Sequence, residues 1–209
     1  MKVVIFDMDG TLIDSKKDIT CSVNYVRQEI YKLTPLTEQF IVEAINMHER
    51  NLPRLFYATE TYEKRARNLF ESHYFEQCIL NPYLYEGIEQ TLESLLASGV
   101  KMSVATNAPT QFAQRMLEHL GVAKQFDVII GADMVPEAKP SPLMLDYILD
   151  KYKFDKNNHK AWMVGDNSKD MLSAKNAGID SVFATWGFTP IAEHHTVIAK
   201  PQELLKIVL

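Results

Sequence analysis

The chain has 209 residues, 46% of them apolar and 23% charged, a balance that suits a globular protein with a substantial core, built as one domain with an insertion or as two small ones. Lys and Arg number 22 against 27 Asp and Glu, and this formal charge of −5 without any basic run argues against nucleic acid or an anionic membrane as partner. No apolar run approaches a membrane span, Asp7 and Asp9 interrupt the only early one, and Cys21 and Cys78 lack metal-type spacing, so a cytoplasmic protein with reduced thiols is expected.

Lys2 to Phe6 is short, apolar and β-branched, as in a strand buried on both faces, and Gly10 permits a tight exit after Asp7. Asp14-Ser15 marks a helix start or hinge. Ile19, Val23, Val26, Ile30 and Leu33 then form one helical stripe that Pro35 is expected to break. Phe40, Ile41, Ala44 and Ile45 repeat the pattern, as do Ala66, Leu69, Phe70 and Tyr74, so residues 15–81 read as an inserted helical bundle.

From Asn81-Pro82 onward helix alternates with strand. Ile88, Leu92, Leu95 and Leu96 mark a helix closed by Gly99, and strands follow at 101–105, 126–130, 161–164 and 181–184. Helices are expected from Pro109 to Gly121, from Ser141-Pro142 past Tyr152, and from Asp166 to Gly178; Ser141 is read as an N-cap with proline at the first helical position. Such alternation predicts an α/β class, Rossmann-like: a parallel sheet with helices on both faces, formed by residues 1–14 and 82–209. Ligands of such sheets bind beyond the carboxyl ends of the strands. Asp7, Thr106 and Asp166 lie at or just after strand ends, and Lys139 lies in the longer loop after another.

Phosphoryl transfer needs a nucleophile, neutralisation of the phosphate oxygens and help for the leaving group. Asp7 can accept a phosphoryl group as an acyl phosphate, but repulsion between carboxylate and phosphate calls for a hard cation, Mg2+, held by Asp7, Asp166 and the Asp9 carbonyl. Asp9, two residues on in an extended segment, shares a side with Asp7 and can serve as acid and then base. Thr106 and Lys139 suit the phosphate oxygens, and Asp170, one turn after Asp166, can orient Lys139 or the waters of the metal. Asn107 is a further candidate for phosphate, with local turn bonding as its ordinary role.

Asp7-Met8-Asp9-Gly10-Thr11-Leu12, Ala105-Thr106-Asn107, Ala138-Lys139-Pro140 and Gly165-Asp166-Asn167-Ser168-Lys169-Asp170 resemble, in order, the four motifs of the haloacid dehalogenase (HAD) superfamily. The helical insertion is similar to a C1-type cap. The resemblance implies Asp7 as nucleophile, Asp9 as general acid/base, Thr106 and Lys139 as phosphate contacts and Asp166 as magnesium ligand. An acid at the position of Asp9 separates the family's phosphatases from its dehalogenases. Tyr85-Glu86-Gly87 and Thr185-Trp186-Gly187-Phe188 look most like phosphoglycolate phosphatases, although Asn167 stands where serine or threonine is common.

The expected partner is therefore a small soluble phosphate ester. In the insertion, His48, Arg50 and Arg54 are candidates for meeting a substrate carboxylate, with surface charge as the ordinary account. His194-His195 reads as an exposed loop, and Trp186 as packing beside the site. Two other readings stay open: a phosphosugar mutase of the β-phosphoglucomutase kind, and a receiver-like phosphoaspartate signalling module without catalytic turnover.

Overall fold

The computed structural model describes residues 1–47, 51–189 and 196–209. Chain contacts divide it into two compact units, Met1–Asp14 with Leu84–Leu209, and Ser15–Tyr83.

The first unit is organised around β1 (Lys2–Phe6), whose Val3, Val4, Ile5 and Phe6 are buried. The chain leaves through β2 (Ile13–Asp14) for the helices α1 (Lys16–Glu29), α2 (Glu38–Asn46), α3 (Leu52–Tyr57) and α4 (Lys64–Gln77), and returns through β3 (Tyr83–Leu84). There follow α5 (Ile88–Ala97), β4 (Lys101–Thr106), α6 (Thr110–His119), β5 (Val128–Gly131), α7 (Leu143–Lys151), β6 (Lys160–Gly165), α8 (Ser168–Ala177), β7 (Asp180–Ala184), β8 (Val197–Ile198) and α9 (Glu203–Val208). Six strands form one sheet in the order β5-β4-β1-β6-β7-β8, every pair parallel.

This order places a switch point at β1. The chain builds β4 and β5 on one side, then crosses to build β6, β7 and β8 on the other. Connections on opposite sides leave a crevice beyond the carboxyl end of β1, between those of β4 and β6. Register keeps those ends level: Phe6 pairs with Val104 and with Val164, and the Asp7 N–H extends the ladder to the Val164 carbonyl at 2.8 Å. Val3 and Ile5 pack with Met144, Leu145, Ile148 and Leu149 of α7 and with Ala174 and Ala177 of α8. Val4 and Phe6, alternating to the other side, are equally buried, and Phe6 meets Phe126 edge to face at 6.3 Å.

The second unit has its own core, formed by Val23, Val26, Ile41, Ala44, Phe56, Tyr57 and Ala66. Its first helix ends earlier than the expected break at Pro35. The α1 helix stops at Glu29, Lys32 takes a φ of +55°, and Leu33 falls outside the helix. Side chains of α1 capture the chain beyond it: Arg27 Nε donates to the Thr34 carbonyl at 2.8 Å, and Asn24 pairs with both the N–H and C=O of Leu36. Polar side chains thus turn the backbone before proline can.

Other differences are local. The α7 helix begins at Leu143 with Pro142 in the cap position, its first bond running from the Asp146 N–H to the Pro142 carbonyl, and Ser141 lies in the turn before it. The fifth expected strand is joined by a sixth, β8, and α9 closes the chain. Gly99 does end α5 as expected: at φ +71° it lets the Val100 N–H reach the Leu95 carbonyl.

Candidate active site

Lys139 stands at the centre of the polar residues beyond β1, β4 and β6. Its ammonium donates to Asp7 Oδ1 at 2.7 Å, Asp170 Oδ1 at 2.6 Å and the Ala105 carbonyl at 2.6 Å. Three protons meet three acceptors drawn from β1, β4 and α8, and the side chain is 2% exposed. Burial alone would lower the lysine, but Asp170 and Asp7 outweigh it and hold the ammonium firmly protonated.

Asp170 links this lysine to a helix terminus. Its Oδ1 takes the ammonium, while Oδ2 accepts from the Asn167 N–H at 3.1 Å, one half of the capping box that starts α8. Burial first, and the Asp7 charge next, push the Asp170 carboxyl up to about 6 against the opposing pull of Lys139. The Asp166 carboxyl rises well above its usual range for the same reasons: burial, then Asp7 and Asp170.

Asp166 is held from both oxygens. The Thr11 hydroxyl donates to Oδ1 at 2.9 Å and the Phe188 N–H to Oδ2 at 2.8 Å. The backbone lies close because glycines allow it. A Cβ on Gly10, already at φ +88°, would fall 2.4 Å from Asp166 Oδ2. Carboxylate oxygens of Asp7, Asp166 and Asp170 come within 4.8 Å of one another. Three carboxylates against one ammonium leave this buried site short of positive charge. Burial first, and the neighbouring carboxylates next, disfavour the charged form of Asp166, and oxygen donors crowded in this way fit a hard divalent cation.

The strand ends deliver the rest. Thr106 closes β4, buried, with its Oγ1 accepting from the Ala108 N–H at 3.1 Å. The Asn107 side chain has partners other than the expected phosphate. Its Nδ2 donates to the Lys139 carbonyl and its Oδ1 accepts from the Lys139 N–H, both at 3.0 Å. Two antiparallel bonds clamp the loop that carries the lysine, so this side chain holds Lys139 in place. Asp9 is half-buried in the turn after Asp7, where the N–H groups of Thr11, Leu12 and Ile13 converge on the Met8 carbonyl.

His48 and Arg50 lie outside the described residues, as do His194 and His195. Arg54 sits on α3 with its side chain 71% exposed, 4.0 Å from Glu60. Sequence reasoning gave no part to Thr11, to the Phe188 N–H or to the Ala105 carbonyl. Thr11 lay inside a quoted motif and was legible as a hydroxyl beside a glycine turn. The two backbone groups have no side-chain signal to read.

The carboxylate and lysine cluster lies at the switch point of a parallel α/β sheet, where such sheets bind ligands. Residues 4–184 match the haloacid dehalogenase-like hydrolases, and the chain belongs to that family. Within the family it is a phosphatase. It is 31% identical over its whole length to a phosphoglycolate phosphatase of Vibrio parahaemolyticus, covering 96% of that protein. It is 30% identical over 99% of its length to one of Aquifex aeolicus, again covering 96%. The crystal structure of a predicted phosphoglycolate phosphatase from Haemophilus somnus superposes with a TM-score of 0.86 at 25% identity, covering 100% of this chain and 98% of the other.

Proposed function

We propose that the protein is a magnesium-dependent phosphomonoesterase of a small phosphorylated metabolite, phosphoglycolate first among candidates, working through a phosphoryl group carried on Asp7. The observation that carries this reading is the buried cluster of Asp7, Asp166 and Asp170 around the Lys139 ammonium at the crevice beyond β1.

Asp7 and Asp166, with the Asp9 carbonyl, would hold the magnesium ion. Asp170 meets the Lys139 ammonium through Oδ1 and caps α8 through Oδ2, and its part is to orient the lysine. Magnesium supplies the charge neutralisation that lets a carboxylate and a phosphate dianion share one site.

Asp7 attacks phosphorus, a new carboxylate–phosphorus bond forms and the ester P–O bond breaks. The Asp9 carboxyl gives its proton to the departing oxygen. As a carboxylate it then takes a proton from water, whose oxygen attacks the acyl phosphate. The bond to Asp7 breaks, inorganic phosphate leaves and both side chains are restored. Thr106 and the backbone N–H groups after it contact phosphate oxygens, and Lys139 provides a fixed positive charge beside Asp7. Asn107 positions that lysine.

The unit Ser15–Tyr83 serves as the cap that selects the substrate, with His48, Arg50 and Arg54 as candidates for a substrate carboxylate. Phosphoglycolate carries such a carboxylate, and the curated relatives bear that substrate in their names. A panel of phosphorylated metabolites with and without magnesium tests the proposal. Phosphate release that requires magnesium and is fastest with phosphoglycolate is expected. Preference for nucleotides or pyrophosphate overturns the substrate, and an isomerised sugar phosphate without phosphate release overturns hydrolysis.

A further inference from the structure

The segment after β7, Trp186-Gly187-Phe188, touches Asp166 and the turn after β1 at three points. The Phe188 N–H donates to Asp166 Oδ2 at 2.8 Å. The Trp186 indole Nε1–H donates to the Thr11 carbonyl at 3.0 Å. Between them, Gly187 has no room for a side chain: a Cβ would fall 2.2 Å from the Gly10 carbonyl oxygen and 2.4 Å from Asp166 Cβ. Thr11, whose carbonyl receives the indole, gives its own hydroxyl to Asp166 Oδ1 at 2.9 Å. The loop thus joins the turn that follows the nucleophile to the carboxylate that faces it from β6.

We propose that Trp186-Gly187-Phe188 is a strap that sets the rotation of the Asp166 carboxylate, making Trp186 a positioning residue for the metal. The inference rests on the reading of Asp166 as a magnesium ligand. One lone pair of each Asp166 oxygen is committed to a fixed donor, one from the strap and one from the turn that the strap holds. The remaining lone pairs are left for a cation shared with Asp7. An exposed aspartate would sample rotamers and lose that entropy on binding. This one is set beforehand, so the metal meets a fixed ligand.

Phenylalanine at position 186 keeps the ring and removes only the N–H. Titration calorimetry of the full chain with magnesium chloride should show a dissociation constant about three- to tenfold weaker in Trp186→Phe, the range for loss of one neutral hydrogen bond. Its melting temperature in chelator should fall by only a few degrees, as for loss of one hydrogen bond. Gly187→Ala pushes backbone against Asp166 and should weaken binding about 10- to 100-fold, as losses around a metal ligand do. An unchanged constant in Trp186→Phe overturns the strap. If the parent protein itself fails to bind magnesium at one site, the proposed function fails instead, so the two failures are distinguishable.

Discussion

Asn107 and Lys139 show how one side chain can place another through its backbone. The two bonds from the Asn107 amide grip the Lys139 backbone, and the ammonium at the far end is fixed by Asp7, Asp170 and Ala105. Asn107→Ala removes both grips and leaves a partly buried N–H and C=O unsatisfied. Urea unfolding should show a loss of about 1–3 kcal/mol. Turnover should fall by about tenfold or more while KM changes little, because the loss is in placement rather than in ground-state binding. A raised KM with unchanged kcat would return Asn107 to direct contact with phosphate.

The titrating groups carry a second prediction at this scale. A buried carboxyl whose folded-state value is raised holds its proton more tightly in the folded chain. Its burial therefore costs nothing below the unfolded value of 3.8, and the cost grows as pH climbs through the folded value, about 6 for Asp170. Asp166 is raised in the same direction. Magnesium needs Asp166 ionised, so the rise in melting temperature on adding it should be small near pH 5 and grow toward pH 8. A magnesium-induced rise of the same size across that window would contradict the ligand assignment.

Among the elements, α8 matters most, since its first turn carries both Asp166's neighbour and Asp170. Asn167 caps it, accepting from the Lys169 N–H at 3.0 Å and closing a capping box with Asp170. Asn167→Ala should lower stability by about 1 kcal/mol, measured by urea unfolding. Replacement by Ser or Thr should restore most of it, because either hydroxyl can serve the same cap.

The main strands and the helices between them were legible because period-two and period-3.6 patterns survive in short windows, and residues at strand ends could be read without knowing their contacts. What could not be read depended on which groups meet rather than on periodic pattern. The end of α1 is set by Arg27 reaching Thr34, and β8 has only two residues, whose pairing with β7 depends on a neighbour rather than on their own pattern. The role of Asn107 likewise required knowing that Lys139, 32 residues on, would lie beside it.

For the molecule as a whole, the switch point at β1 decides where the chemistry goes, and the family resemblance carried by four short motifs agrees with the family match over residues 4–184. The sheet brings Asp7, Thr106 and Asp166 to one edge because each ends or follows a neighbouring parallel strand, and the longer loop after β5 supplies Lys139. Among the described residues no helix is long and apolar enough to cross a membrane. The second unit has a core of its own, around Val23, Val26 and Ile41.

The central claim is that phosphate passes through Asp7 and that Asp9 moves the protons. With p-nitrophenyl phosphate the leaving group is acidic enough to depart without a proton, so loss of Asp9 should spare the first step and block the second. In Asp9→Asn, rapid acid quench should show one p-nitrophenolate released per active site, followed by near arrest. Mass spectrometry of the quenched protein should find one phosphoryl group on the peptide containing Asp7. Sustained turnover by Asp9→Asn with no phosphorylated Asp7, or full activity in Asp7→Asn, would contradict the account.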